Sequence, residues 1–159
     1  MHHSIQVGLS FGLTSGIITT LGLMVGLATG TNSRLAVIGG VATIAVADAL
    51  SDALGIHISE ESENLHTSRE VWIATVSTAV SKGLTAASFL IPLVFLPLLP
   101  AVLVSFAWGF LLLGIISALV ARLQNLRRTP VILEHFAVAV VVIVLSYEVG
   151  LVVGNVIGS

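Results

Sequence analysis

Three ionisable residues lie inside long apolar segments of this sequence. Asp48 and Asp52 fall within the run 41–55, and Lys82 falls within a later apolar run. A charge at membrane depth costs about 3 kcal/mol or more, so such groups usually persist where they pair with one another or handle an ion. We therefore expect the functional site of this protein at these three residues.

The two aspartates are placed to act together. They are four residues apart, so on a helix they share one face. If that helix continues past Ile58, then Ser59 and Glu63 extend the same face into the polar segment that follows. The spacing thus predicts one acidic stripe that runs from the membrane interior into a loop.

The polar segment 57–66 adds histidines and carboxylates at helical spacing. Carboxylates with one or two imidazoles, and without cysteine sulfur, suit divalent ions such as Fe²⁺, Mn²⁺, Co²⁺ or Zn²⁺. The alternative interpretation is an ordinary solvated helix end. The candidate metal ligands of the whole chain are Met24, Asp48, Asp52, His57, Glu60, Glu61, Glu63 and His66.

Lys82 is expected at the depth of the aspartates. Counted from the predicted helix ends, it lies about 16 Å deep and Asp48 about 13 Å deep on an antiparallel neighbour. One interpretation is an ion pair that only neutralises both charges. The other is that the lysine competes with an incoming cation or proton for the carboxylates, which would couple an exchange. Glu148, toward the far end of the last apolar segment, is expected to mark the exit.

The composition indicates an integral membrane protein. Hydrophobic residues make up 56% of the 159 residues and charged residues only 9%, and the mean hydropathy is +1.10. This is more apolar surface than a soluble core of that length could bury. The net charge of -2 and the lack of a basic run argue against a nucleic-acid partner, and the absence of cysteine excludes disulfides and thiolate metal sites.

Five apolar segments have the length needed to cross a bilayer. The loops between them are short, and the prolines at 97 and 100 mark a tight hairpin. We therefore predict an all-α membrane protein with five transmembrane helices, a single domain over residues 1–159. The predicted spans are 7–29, 35–58, 71–96, 100–123 and 131–157.

The arginines predict the orientation. With five spans, Arg69, Arg122, Arg127 and Arg128 share one side with the N-terminus, whereas Arg34 lies on the other. Cytoplasmic loops carry the excess of basic residues, so the N-terminus and the 59–70 loop are expected in the cytoplasm. We expect a multi-pass protein of the lipid bilayer, in the cell membrane if the organism is prokaryotic.

Glycines repeat at four-residue spacing in the first and fifth spans. Such rows let helix backbones approach closely, and in lipid this packing drives association. We expect the first-span row to form the seam of a homodimer, with packing inside one subunit as the alternative. Hydroxyl residues between 14 and 20 also make this span more polar than a lipid-facing helix needs. The rows are Gly8, Gly12, Gly16, Gly22, Gly26 and Gly30 in the first span, and Gly150, Gly154 and Gly158 in the fifth.

The stretches 8–27 and 47–59 resemble the first two spans of the vacuolar iron transporter family. The segment from Pro92 to Pro100 is similar to the hairpin between the third and fourth spans of that family. The resemblance in span count and order covers nearly the whole chain. It implies a dimer of five-span subunits with a metal path near the subunit interface, and export of divalent metal from the cytosol against protons.

This sequence departs from the family pattern at several positions. Phe11 stands where the family has a first-span acid, Asp52 where it has a methionine, Ile56 where it has an acid and His57 where it has a tyrosine. The long cytoplasmic metal-binding helices of the family are missing here. Met24 is then the one soft donor left in the first span.

The leading functional hypothesis is a secondary transporter that exchanges Fe²⁺ or Mn²⁺ for protons, with Co²⁺ or Zn²⁺ as other cargoes. No tightly bound cofactor is expected. The alternatives are a transporter of another cation and a structural or regulatory membrane subunit without transport activity. We do not expect an enzyme, since both acids lie on one helix and no nucleophile motif accompanies them.

Overall fold

The computed structural model describes residues 2–157, with side chains described for residues 3–156. The described residues form six helices and no strand. Gly158 of the fifth-span row lies outside the described residues. The helices are α1 (His2–Thr31), α2 (Arg34–Ser62), α3 (Ser68–Ser88), α4 (Leu90–Phe95), α5 (Leu98–Leu123) and α6 (Arg128–Ile157).

Five of the helical segments are long and apolar enough to cross a membrane, with α3 and α4 together forming the third. This confirms the predicted five-span, all-α architecture. α2 runs to Ser62, a turn beyond the predicted end of the second span. The spans are His3–Thr31, Arg34–Ser62, Ser68–Phe95, Leu98–Leu123 and Arg128–Val156.

The two ends of the bundle are named here by their loops. The inner end holds residue 2 and the loops at 63–67 and 124–127, and the outer end holds the turns at 32–33 and 96–97. The inner end is the side predicted to be cytoplasmic. That orientation stays a prediction.

Local sequence explains where α2 and α3 begin. The Ser33 hydroxyl accepts a hydrogen bond from the Ala36 N–H, which caps α2. Thr67 and Glu70 form a reciprocal capping box at the start of α3.

Prolines and an arginine shape the outer end of the third span. Pro92 lacks an N–H, and the helix is interrupted just before it at Phe89. The Arg34 guanidinium donates to the carbonyl oxygen of Leu93 at 2.7 Å and also contacts that of Val94. A cation at the C-terminus of α4 compensates the unpaired carbonyls there.

α1 is the central helix and packs against α2, α3, α5 and α6. Its inner half packs closely on α3. A Cβ atom at Gly8 would lie 2.5 Å from the Ala74 carbonyl oxygen, and one at Gly12 would lie 2.8 Å from that of Thr78. Only glycine allows this approach of the two backbones.

The outer half of α1 packs on α6 in the same way. A Cβ atom at Gly26 would lie 3.2 Å from the Ser146 carbonyl oxygen, and one at Gly150 would lie 2.5 Å from that of Gly26. The predicted homodimer seam along Gly8, Gly12, Gly16, Gly22 and Gly26 is therefore wrong, because helices of the same chain occupy that row. The alternative of packing inside one subunit is confirmed.

Candidate cation site

Lys82 lies at the centre of a polar cluster where α1, α2 and α3 meet. Its ammonium lies 2.6 Å from Asp48 Oδ2, also contacts Asp52 Oδ2, and donates a 2.9 Å hydrogen bond to Ser15 Oγ. The ammonium thus contacts three oxygens, those of Asp52 and Ser15 through hydrogen bonds and that of Asp48 as an ion pair. The expected meeting of Lys82 with the carboxylates is confirmed, and it involves both of them.

Ser15 completes the cluster from α1. Its hydroxyl donates a 2.8 Å hydrogen bond to Asp52 Oδ2 while it accepts one from Lys82. The sequence prediction missed this residue. The only signal for it is the hydroxyl-rich stretch of α1, which does not say which hydroxyl faces the site.

The cluster lies at mid-span. Asp48 is at the middle of α2, Ser15 is close to the middle of α1, and Lys82 is close to the middle of the Ser68–Phe95 span. These charges therefore lie far from both membrane surfaces. Bulk water cannot stabilise them at that depth.

Glycines bring the three helices close enough to form the cluster. A Cβ atom at Gly16 would lie 3.1 Å from the Lys82 carbonyl oxygen, and one at Gly83 would lie 2.9 Å from the Ala45 carbonyl oxygen. α1 and α2 thus approach α3 at the level of the lysine. The close packing explains how a long side chain becomes completely enclosed there.

Burial differs across the cluster. The Lys82 side chain is 1% exposed, whereas those of Asp48 and Asp52 are 32% and 24% exposed. The lysine is fixed inside the bundle, and the carboxylates are accessible from the surface that α2 presents. An ion that reaches the site would meet the carboxylates before the lysine.

A second acidic cluster lies at the inner end of the bundle. His66 Nε2 lies 3.6 Å from a Glu60 carboxylate oxygen and 3.9 Å from a Glu63 carboxylate oxygen, and the His66 ring stacks on His3 at 5.5 Å. Glu60 is buried, and its Oε2 has no hydrogen-bond partner among the described residues. Glu61 is exposed.

The structure forms only part of the predicted metal-binding loop. Glu60 and Glu63 both lie close to His66, but α2 ends at Ser62 and Asn64 turns the chain with a φ of 53°, so the loop and not the predicted helical spacing places His66 there. Within residues 3–156, however, no three histidine or carboxylate groups converge as a set that could hold a metal ion.

His57 lies apart from this cluster, against α3. Its Nδ1 is 2.9 Å from Thr75 Oγ1, and the Thr75 hydroxyl donates to the Val71 carbonyl oxygen. The hydroxyl therefore accepts a hydrogen bond from Nδ1–H, and in the neutral ring Nε2 then carries no proton. The ring also packs edge-on against Trp72 at 4.7 Å.

Met24 is not part of the cation site. It is completely buried in the hydrophobic core, in the same cluster as Val37 and Phe89. It also lies about 14 Å further along α1 than Ser15, counted at 1.5 Å per residue. The prediction of Met24 as a soft ligand beside the carboxylates is therefore wrong.

Glu148 lies near the outer end of the bundle. It is exposed on α6, two residues before Gly150, which packs on Gly30 near the end of α1. This agrees with its predicted position in the fifth span. Its role in an exit path stays a prediction.

Comparison with known proteins gives no assignment. No family model, curated protein or solved structure matches this chain significantly. The resemblance to vacuolar iron transporters therefore stays a hypothesis.

Proposed function

We propose that the protein is a secondary transporter that moves a cation out of the cytosol in exchange for protons. The observation that carries this proposal is the Lys82 ammonium enclosed at mid-span between Asp48 and Asp52. A purely structural bundle gains little from three charges at that depth. The sequence resemblance makes Fe²⁺ or Mn²⁺ the first cargo to test.

The exchange follows from competition for the same oxygens. Cation and protons both bind the carboxylates of Asp48 and Asp52, so occupation by one displaces the other. Lys82 acts as an internal counter-ion that compensates the carboxylates when no cargo is bound. The carboxylates are partly exposed, whereas Lys82 is buried on α3. Cargo therefore reaches the carboxylates without displacing the α3 backbone.

The acidic cluster at the inner end fits the role of a collector. Glu60, Glu61 and Glu63 place negative charge beside His66 at the predicted cytosolic mouth. A mouth lined by one sign of charge raises the local concentration of cations. His57 lies between this cluster and Asp52 in sequence, and in the neutral form of its ring the Nε2 atom offers a lone pair to a passing cation.

We also propose that the active unit is a homodimer whose two subunits contact each other along α2 rather than along α1. Small residues at four-residue spacing follow an outward face of this helix, and a Cβ atom at Gly39 or Gly55 would meet nothing within 4 Å. A lipid-facing helix does not need such a row, whereas a helix–helix contact does. A second copy on this face would cover the exposed sides of Asp48 and Asp52. The row is Gly39, Thr43, Ala47, Ser51, Gly55 and Ser59.

Two glycine variants separate the dimer contact from the packing inside a subunit. We expect Gly55→Leu to weaken dimerisation about tenfold, because its side chain holds the α2 helices of two copies apart. Gly12→Leu should instead lower the stability of each subunit by about 3 kcal/mol, since α3 lies against it. Native mass spectrometry in nanodiscs and thermal unfolding measure the two effects. A Gly55→Leu protein that stays dimeric would place the seam elsewhere.

Flux measured in proteoliposomes tests the transport function. We expect uptake of cation to rise about tenfold when a proton gradient of one pH unit is imposed in the exchanging direction, since one coupled proton supplies about 1.4 kcal/mol. Protein-free vesicles and vesicles with a reversed gradient serve as controls. If neither Mn²⁺ nor Na⁺ moves in any gradient, the protein is a structural or regulatory subunit instead.

A further inference from the structure

The formal charge of the cation site restricts what it can hold. With Lys82 in place, one positive charge faces two carboxylates, so one negative charge is left over. Net charge in the membrane interior is costly, and the site is therefore most stable with an occupant that carries one positive charge. A divalent ion would leave an excess positive charge beside the buried ammonium.

Displacing the lysine would avoid this excess charge, but the packing opposes it. The Lys82 ammonium contacts three oxygens, from Asp48, Asp52 and Ser15, and its side chain is 1% exposed. The α1 backbone at Gly16 lies against the Lys82 backbone and restricts its movement. The ammonium is a resident part of the site.

The ligand atoms restrict the occupant to hard cations. The cluster offers only oxygen, from two carboxylates and the Ser15 hydroxyl, whereas Met24 lies in the core and His57 bonds to Thr75. Oxygen ligands suit hard cations, monovalent Na⁺ and divalent Mn²⁺ alike, so the charge of the occupant is what distinguishes these two ions. The carboxylate Oδ1 atoms make no hydrogen bond or ion pair with another side chain among the described residues, so they are the atoms that would bind the occupant.

We infer that this site takes a hard monovalent cation, and that Lys82 is the residue that determines this specificity by excluding divalent ions. The inference rests on the proposed transport function, but it replaces the divalent cargo that the sequence resemblance implies. Removing the lysine charge would leave a site with two negative charges, which a divalent ion neutralises. The preference for a monovalent ion should then reverse.

The first experiment compares Na⁺ with Mn²⁺ on the wild-type protein, by flux in proteoliposomes and by thermal stabilisation in detergent. We expect Na⁺ to be transported and to raise the melting temperature, with Mn²⁺ roughly 100-fold less effective, as the cost of one uncompensated charge predicts. Mn²⁺ transport that Na⁺ does not inhibit overturns the inference and leaves the proposed function standing. Stabilisation by Na⁺ without flux of either ion refutes the transport function but supports a site for a monovalent cation. If Na⁺ neither stabilises the protein nor is transported, and Mn²⁺ is not transported, both proposals are refuted.

Charge variants test the role of Lys82. Lys82→Met should prefer Mn²⁺ over Na⁺, whereas Asp48→Asn combined with Lys82→Met restores a single negative charge and should prefer Na⁺ again. Asp48→Asn alone leaves no net charge and should lose the response to Na⁺. If Lys82→Met does not fold, the double variant and Asp48→Asn still test the inference. The double variant has one net negative charge and should respond to Na⁺, whereas Asp48→Asn has none and should not. An equal response of these two variants overturns the inference.

Discussion

Asp52→Asn is expected to reduce cation flux at least 100-fold, to the level of empty vesicles. The substitution removes the carboxylate that both Lys82 and Ser15 contact, while it preserves size and hydrogen-bonding shape. It takes away half of the negative charge of the site, and the site then holds a neutral Lys82–Asp48 pair with no remaining charge to attract cargo. One uncompensated charge at membrane depth corresponds to roughly 100-fold in binding.

Glu134→Gln provides the matched control for this prediction. It makes the same change from a carboxylate to an amide, but at an exposed residue of α6 that contributes no contact to the cluster. Flux should therefore stay within a factor of about two of the wild-type value. If Asp52→Asn folds and retains wild-type flux, the cargo does not pass through this cluster.

Lys82→Met is expected to lower the free energy of unfolding by about 3 kcal/mol. The substitution keeps the length and apolar stem of the side chain but leaves Asp48 and Asp52 facing each other without a counter-ion. The cost lies at the low end of that for breaking a buried ion pair, because both carboxylates are partly exposed. Unfolding in sodium dodecyl sulfate, followed by circular dichroism, measures the change.

The double variant Asp48→Asn with Lys82→Met shows whether the loss comes from charge. We expect it to recover about half of the lost stability, since only one unpaired carboxylate remains and Ser15 still donates to it. Arg34→Met, which removes a cation from the outer end of the bundle, serves as the control for general loss of a basic residue. Wild-type stability of Lys82→Met would mean that the ion pairs contribute nothing to the fold.

The sequence determined the parts of the fold that depend on composition and local spacing. Five apolar runs gave the five spans, because each contains enough consecutive apolar residues to cross the hydrocarbon. Pro97 gave the turn at the end of the third span, because proline lacks the backbone donor, whereas the break at Phe89 inside that span was not predicted. The spacing of Asp48 and Asp52 gave their common face, because the helical period fixes it.

Part of the cation site was also predictable from sequence. The depths of Lys82 and Asp48 follow from counting residues along two antiparallel spans, and the structure brings them together as expected. By contrast, Glu63 and His66 meet through the turn at Asn64 beyond the end of α2, which helical spacing does not predict.

Only the tertiary structure decided which neighbour each helix face meets. The glycine row of α1 by itself predicts close packing, but it does not tell whether the partner is α3, α6 or another subunit. Ser15 reaches the cluster, Met24 is in the core and His57 bonds to Thr75, although all three are polarisable or polar residues of the same two spans. The helical period fixes the direction of a side chain relative to its own axis alone. The rotation and order of the helices around α1 come from packing between residues far apart in the chain, and this is why the full set of Lys82 contacts could not be predicted from sequence.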